Sequence, residues 1–228
     1  MHDEAFGVET SRGEVPVEIA AAGSAGAAAP ILIVAHGAGA GMHHPFITGF
    51  TDAMNQLGVA TARFDLPYMA AKKKTPDPAP VAVAAWKAVF EAVSERAGGG
   101  RKGAATQGIW AGGKSYGGRI ASMAVADGMP AAGLVFLGYP LHPPGRADKI
   151  RDEHLYAIKV PMLFLHGSRD AFADAELLDE VVGRLGKRAM LERFDGADHS
   201  FNVRGQKRSP KEVGASLAPA VARFILER

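Results

Sequence analysis

Ile109-Trp-Ala-Gly-Gly-Lys-Ser-Tyr-Gly-Gly-Arg-Ile120 is the stretch on which the reading of this chain turns. Its centre, Gly113-Lys114-Ser115-Tyr116-Gly117, sets a serine between glycines two positions to either side. That spacing fits a sharp elbow between a strand and a helix, where the serine takes a strained backbone conformation and its hydroxyl is lifted clear of the sheet. Strand and helix approach closely at such an elbow, so the flanking positions must be small. Gly113 and Gly117 meet that demand, and Gly118 adds clearance. A short apolar strand over Gly108–Gly112 is expected before the serine, and a helix from Ser115 to about Asp127 after it. Ser115 is the candidate nucleophile, against the plain alternative of a helix N-cap.

The same residues satisfy a second pattern. Gly108-Ile-Trp-Ala-Gly-Gly-Lys114-Ser115 spells G-x-x-x-x-G-K-[ST], a phosphate-binding loop. In such a loop the apolar strand precedes the first glycine. Here the strand candidate Ile109–Ala111 lies inside the supposed loop, and Gly103-Ala-Ala-Thr-Gln107 makes a poor buried strand. The elbow reading is preferred, with Lys114 as its variable residue at the site mouth.

A serine hydroxyl needs a base, and the base needs an orienting acid. Val160-Pro-Met-Leu-Phe-Leu-His-Gly-Ser-Arg-Asp170 is an apolar strand that delivers Asp170 just past its end. Phe194-Asp-Gly-Ala-Asp-His-Ser-Phe201 sets His199 in a loop after the last strand. The order Ser115, Asp170, His199 is the one that accompanies a serine elbow of this kind. Asp174 is the reserve for Asp170, and Asp198 reads as a turn residue. An oxyanion needs backbone amides. These are expected from Tyr116 and from Ala38 in the loop His36-Gly-Ala-Gly39, with Gly39 as the nearest competitor to Ala38. Gly39, Tyr68 and His142 are further candidates for substrate contact.

Outward from this centre, short β-rich runs alternate with helical stretches, the pattern of a mostly parallel sheet covered by helices. Strands are expected at Val15–Ala20, Ile31–Ala35, Val59–Phe64, Gly133–Leu137, Met162–His166 and Ala189–Phe194. Helices are expected at Pro45–Leu57, closed by Gly58; at Val81–Arg96, ended by three glycines; and at Ala175–Leu185 and Pro210–Leu226. Ala21–Ala29 and Tyr68–Pro80 read as loops, the second exposed and carrying Lys72, Lys73 and Lys74. With no repeat and no linker, 228 residues suit one domain over 1–228.

Composition narrows the function. Hydrophobic residues at 47% and charged residues at 22% are those of a soluble globular chain, and a net charge of +2 gives no argument for nucleic acid. The absence of cysteine excludes a thiol nucleophile, a disulfide framework and cysteine-ligated metal. His43 and His44 are adjacent, but neighbouring histidines seldom converge and no second ligand pair stands at useful spacing, so no metal is expected. His36 and His166 end apolar strands and read as structural. No cofactor is expected, and the expected partner is a small-molecule acyl substrate. The most apolar run, Ala27–Ala35, is broken by Pro30 and too short to cross a bilayer, and the N-terminus lacks a secretory pattern. The expectation is a cytoplasmic protein with no membrane or nucleic-acid partner. Lys72–Lys74, together with Arg63 and Arg146, carry the sharper expectation of drawing in acidic substrates.

Val34-Ala-His-Gly-Ala-Gly39, Arg63-Phe-Asp-Leu-Pro-Tyr68, Gly113-Lys-Ser-Tyr-Gly-Gly118, Leu137-Gly-Tyr-Pro-Leu-His142, His166-Gly-Ser-Arg-Asp170 and Asp198-His199 together resemble the dienelactone-hydrolase-like α/β hydrolases. More narrowly they are similar to a small branch that includes a testis-expressed protein and a subunit of a nucleosome-acetylating complex. The resemblance implies a single-domain α/β-hydrolase fold, a Ser115–His199–Asp170 triad and hydrolysis of an ester or related acyl bond. It also keeps open a non-catalytic interaction module on the same fold. Dienelactone hydrolases proper use a cysteine nucleophile, so Ser115 departs from them. Larger relatives insert a cap where this chain has only Gly138–Pro161, room for a loop and one short helix. An open site is expected, walled by His36–Pro45, Leu66–Pro80 and Tyr139–Arg146.

Overall fold

The computed structural model describes residues 3–23, 29–97 and 108–228. Residues 24–28 of the first expected loop, the glycines 98–100 and the stretch 103–107 lie outside the described residues.

The chain forms an eight-stranded sheet in the order β1-β2-β4-β3-β5-β6-β7-β8. The strands are β1 (Glu4–Thr10), β2 (Gly13–Ala20), β3 (Ile31–Ala35), β4 (Ala60–Phe64), β5 (Ile109–Lys114), β6 (Leu134–Leu137), β7 (Met162–Gly167) and β8 (Ala189–Phe194). From β4 to β8 every pairing is parallel, while β1–β2 and β2–β4 run antiparallel. The helices are α1 (Pro45–Gln56), α2 (Pro67–Ala70), α3 (Ala79–Ala97), α4 (Tyr116–Ala126), α5 (Ala175–Leu185) and α6 (Pro210–Leu226).

Strand β3 shows why the sheet is covered on both faces: all five of its residues are buried. Side chains alternate across a strand. Ile31, Ile33 and Ala35 enter a core with Trp86 and Val89 of α3 and Ile120 of α4. Leu32 and Val34 enter the opposite core, with Phe50 of α1 and Val221 of α6. A run that is apolar at every position is therefore the mark of a strand between two helical layers. Helix α6 starts on a capping box, in which Ser209 Oγ accepts from the Glu212 amide while the Glu212 carboxylate accepts from the Ser209 amide.

Two expectations need correction. Tyr68–Pro80 is not one exposed loop. Pro67–Ala70 is a helical turn with Tyr68 buried, and α3 begins at Ala79. Pro80 sits in the first turn of α3, where its missing N–H leaves no intrahelical bond unmade. Strand β1 was not expected at all. It is an edge strand with Val8 alone buried, so its sequence carries almost no apolar alternation.

The parallel order also decides where a site belongs. β4 lies on one side of β3 and β5 on the other, so the chain reverses its direction of travel across the sheet between β3 and β5. In an open α/β sheet the crevice outside the carboxyl ends of the strands at such a reversal is where ligands bind.

Candidate active site

Ser115 follows β5 at that reversal and stands as the N-cap of α4, with φ +50° and ψ −114°. A positive φ at a residue with a side chain is a strained conformation, and here the surroundings hold it. The Ser115 amide donates to the Leu137 carbonyl at 3.2 Å, tying the elbow to the end of β6. A Cβ on Gly117 would lie 2.5 Å from the His36 carbonyl oxygen and 2.6 Å from that of Ala35. A Cβ on Gly113 would strike the Ala35 carbonyl as well. The two glycines thus let β3 and the start of α4 close around the serine.

Residues 109–114 are hydrogen-bonded strand, paired with β3 on one side and β6 on the other. A phosphate-binding loop would need this segment open, so that reading is overturned.

His199 Nε2 lies 2.8 Å from Ser115 Oγ, and its Nδ1 lies 2.7 Å from Asp170 Oδ2. Asp170 sits in the turn after β7, buried, and its second oxygen accepts from the Phe172 amide at 2.7 Å. The carboxylate is therefore oriented before it meets the imidazole. The Phe172 ring lies over the His199 ring, with centroids 4.2 Å apart. Beyond the histidine, Asp198 Oδ1 accepts from the amides of Ser200 and Asn202, at 2.8 and 2.9 Å. Asp198 is thus the turn residue of the loop that carries His199. Asp174 caps α5, accepting from the Glu176 and Leu177 amides, and takes no part in the pair. Burial holds the His199 imidazole below its ordinary pKa. The Asp170 carboxylate opposes that shift, and the Lys114 ammonium adds to it.

Ser115 opens into a cavity of about 500 Å³. Gly37–Ala40 form one wall, His199, Ser200 and Asn202 the other, and Phe46, Ile47 and Phe172 supply apolar surface. Its rim is exposed at Ala38, Gly39, His44 and Asn202. Gly39 lines this cavity. The other two substrate candidates do not. Tyr68 is buried beneath the loop, and its hydroxyl accepts from the Gly39 amide at 3.3 Å. His142 is buried too, with Nε2 accepting from the Asp174 amide at 2.8 Å, so it pins the start of α5. The expected walls at Leu66–Pro80 and Tyr139–Arg146 are absent from this cavity. Met69, Ala70 and Lys72 instead border a neighbouring groove that meets it at Gly39, Ala40 and His44.

The sequence reading missed Phe46, Ile47, Phe172 and Asn202 as lining residues. Phe172, two residues after Asp170, had a signal in its spacing. The others reach the site through the packing of α1 and the course of the loop that carries His199. His44 is the N-cap of α1, accepting from the Phe46 amide at 3.2 Å, while His43 turns outward to Glu18 at 3.4 Å. His36 is fully buried and accepts the Leu66 amide at Nε2 at 3.0 Å, a structural task. Arg63 binds Glu18 at 2.7 Å and Arg146 binds Asp148 at 3.0 Å, so neither guanidinium is offered to the cavity. Among the described residues, no helix is long and apolar enough to cross a membrane.

The family model described as alpha/beta hydrolase domain matches residues 28–226. Solved structures that superpose on the whole chain include XC6422 from Xanthomonas campestris, described as an α/β serine hydrolase without a lid. Its TM-score is 0.73 at 19% identity, over 98% of this chain and 95% of that one. A dienelactone hydrolase from Anabaena variabilis gives 0.72 at 17%, covering 99% and 97%. Est1E from Butyrivibrio proteoclasticus gives 0.71 at 17%, covering 98% of each chain. At these identities the likeness is one of fold.

Proposed function

The chain belongs to the α/β-hydrolase family, and from that premise we propose that it is a serine hydrolase that cleaves an ester or related acyl bond through an acyl-enzyme on Ser115. The observation that carries this reading is the continuous relay from Ser115 Oγ through His199 to Asp170, at 2.8 and 2.7 Å, opening from a strained serine into a cavity.

In the proposed reaction Ser115 Oγ attacks the acyl carbonyl as His199 Nε2 takes its proton. Asp170 holds Nδ1–H, which fixes the tautomer and stabilises the imidazolium that forms. The amides of Ala38 and Tyr116 receive the developing oxyanion. Two facts support that assignment: the Gly39 amide is already engaged by Tyr68, and Tyr116 is the first residue of α4, where an amide has no intrahelical acceptor. His199 returns the proton to the leaving oxygen, and water then repeats the attack on the acyl-enzyme with the same base. Phe46, Ile47 and Phe172 favour a substrate with an apolar arm. The narrower likeness to the branch with the testis-expressed protein, and a cytoplasmic location, stand as proposals alongside.

Reaction with a fluorophosphonate probe, with the adduct located by mass spectrometry, tests this directly. Labelling at Ser115, abolished in Ser115→Ala, is the expected result. A folded wild-type protein that takes no label overturns the enzyme reading and leaves the interaction module.

A further inference from the structure

Lys114 occupies the variable position of the elbow, yet its side chain is not free. Its Nζ donates to the main-chain carbonyl of His199 at 2.7 Å, across 85 residues of sequence. The side chain runs beneath the wall of the site: a Cβ on Gly37 would lie 3.4 Å from Lys114 Cγ. Gly138, at φ +74°, clears the far end, since a Cβ there would lie 3.4 Å from Nζ and 3.5 Å from His199 Cε1. The Phe201 ring, in the loop that carries His199, stands 5.9 Å from the ammonium. The residue before the nucleophile is thus joined directly to the residue that supplies the base.

We propose that Lys114 is a positioning residue for the Ser115–His199 pair: its ammonium ties the serine elbow to the main chain of the base, fixing the imidazole over the hydroxyl and holding a positive charge beside it. This rests on the serine-hydrolase reading.

A buried ammonium is expensive, and a methionine of similar length fills the same channel without that cost. Burial lowers Lys114 to about 8, against the pull of Asp170 and Asp198. The charge that persists below that pH has a definite consequence. The groups facing His199 are Asp170 from the turn after β7, Asp198 from its own loop, His166 at the end of β7 and Lys114 from β5. The two carboxylates favour the imidazolium, whereas Lys114 disfavours it and keeps the base unprotonated to lower pH. The hydrogen bond to the carbonyl fixes where the ring stands, and a misplaced base loses rate steeply.

The test is the pH dependence of fluorophosphonate labelling at Ser115, together with an NMR titration of the His199 ring, in wild type, Lys114→Met and Lys114→Arg. In Lys114→Met the plateau rate is expected to fall about tenfold, and the acid limb and ring midpoint both to move to higher pH. Lys114→Arg, which keeps the charge, is expected to restore the limb. Should Lys114→Met not fold, Lys114→Gln carries the same prediction for the limb. A limb and midpoint that stay in place when the charge is removed overturn the proposal, even if rate or melting temperature falls. Wild type that takes no label at any pH overturns the serine-hydrolase reading, and the role for Lys114 falls with it.

Discussion

Among the described residues, two serine–histidine pairs stand at the same distance. Ser115 Oγ is 2.8 Å from His199 Nε2, and Ser122 Oγ, two turns along α4, is 2.8 Å from His154 Nε2. The two pairs differ in where the proton lies. Ser122 Oγ donates to the Arg119 carbonyl at 2.8 Å, and Tyr139 Oη donates to the Arg151 carbonyl at 2.6 Å. Both hydroxyls have spent their hydrogens, so His154 must present Nε2–H to them and cannot serve as a base toward Ser122. At Ser115 the Asp170 carboxylate claims Nδ1–H, which leaves Nε2 as the acceptor. Burial and then the Arg119 guanidinium push His154 down to about 4, against Asp152. Ser122 is fully buried, whereas Ser115 lines a cavity. A short serine–histidine distance is therefore not a catalytic signature. The tautomer, the carboxylate behind it and access decide.

The sharpest way to break this contrast is Asp170→Asn. The asparagine amide would donate toward Nδ1 and force Nε2–H onto Ser115, the arrangement seen at His154. Activity toward a short acyl ester is expected to fall by about four powers of ten, with Ser115→Ala at least as damaging. Circular dichroism should be unchanged in both. An Asp170→Asn enzyme that keeps a tenth of its rate would mean that the carboxylate does not set the tautomer.

The second pair is expected to respond in the opposite sense. Ser122→Ala leaves the His154 N–H with a weak partner at 3.5 Å from Tyr139 Oη, a loss of about 1–2 kcal/mol in urea unfolding. Ester turnover should stay at the wild-type level. A large loss of turnover without loss of stability would erase the distinction between the pairs.

The contrast extends to pH. His154 is neutral in the fold down to about 4, while in the unfolded chain it takes a proton near 6.5. The unfolded state binds more protons across that window, so stability falls as pH drops from about 6.5 to about 4. Burial also lowers His36, His166 and His199, and each adds to the same slope. His154→Gln is expected to flatten the slope in part, read from urea midpoints at several pH values. Equal slopes in variant and wild type would show that His154 is not held neutral.

What the sequence made legible follows the same line between local and distant. Ile31–Ala35, Ala175–Leu185, Ala189–Phe194 and Pro210–Leu226 are found over the spans expected. The two helices are bounded by something local: Asp174 and Ser209 as caps, Pro210 in a first turn, Gly186 at a C-terminus. Ser115, Asp170 and His199 were legible because each follows the end of a strand with its own short motif. The link from Lys114 to the His199 carbonyl was not, because it joins residues 85 apart and depends on the course of the loop that carries His199. His142 misled for a related reason. Its place just after β6 put it near the site in sequence, but its ring is turned to accept the amide of Asp174. Backbone position was readable there, and side-chain direction was not.

The smallest expected effect concerns the wall that only the first pair possesses. The Gly37–Ala40 loop faces Ser115, and Tyr68 holds it from below by accepting from the Gly39 amide. Burial raises the Tyr68 pKa, so the group that accepts from that amide at ordinary pH is the neutral hydroxyl. If Ala38 supplies the oxyanion donor, Tyr68 acts only by keeping the loop at its angle. Tyr68→Phe removes one oxygen from a buried site and leaves the ring's packing against His36 in place. The expected result is a fall in kcat of about threefold with KM unchanged, since the loop is also held by the hydrogen bond from the Ala40 amide to the Gly37 carbonyl. A loss of about a hundredfold, the size expected for deleting an oxyanion donor, would mean that the hydroxyl itself reaches the reacting oxygen. An unchanged kcat would mean that the loop keeps its shape without Tyr68, and that the Ala38 amide is set by the β3 turn alone.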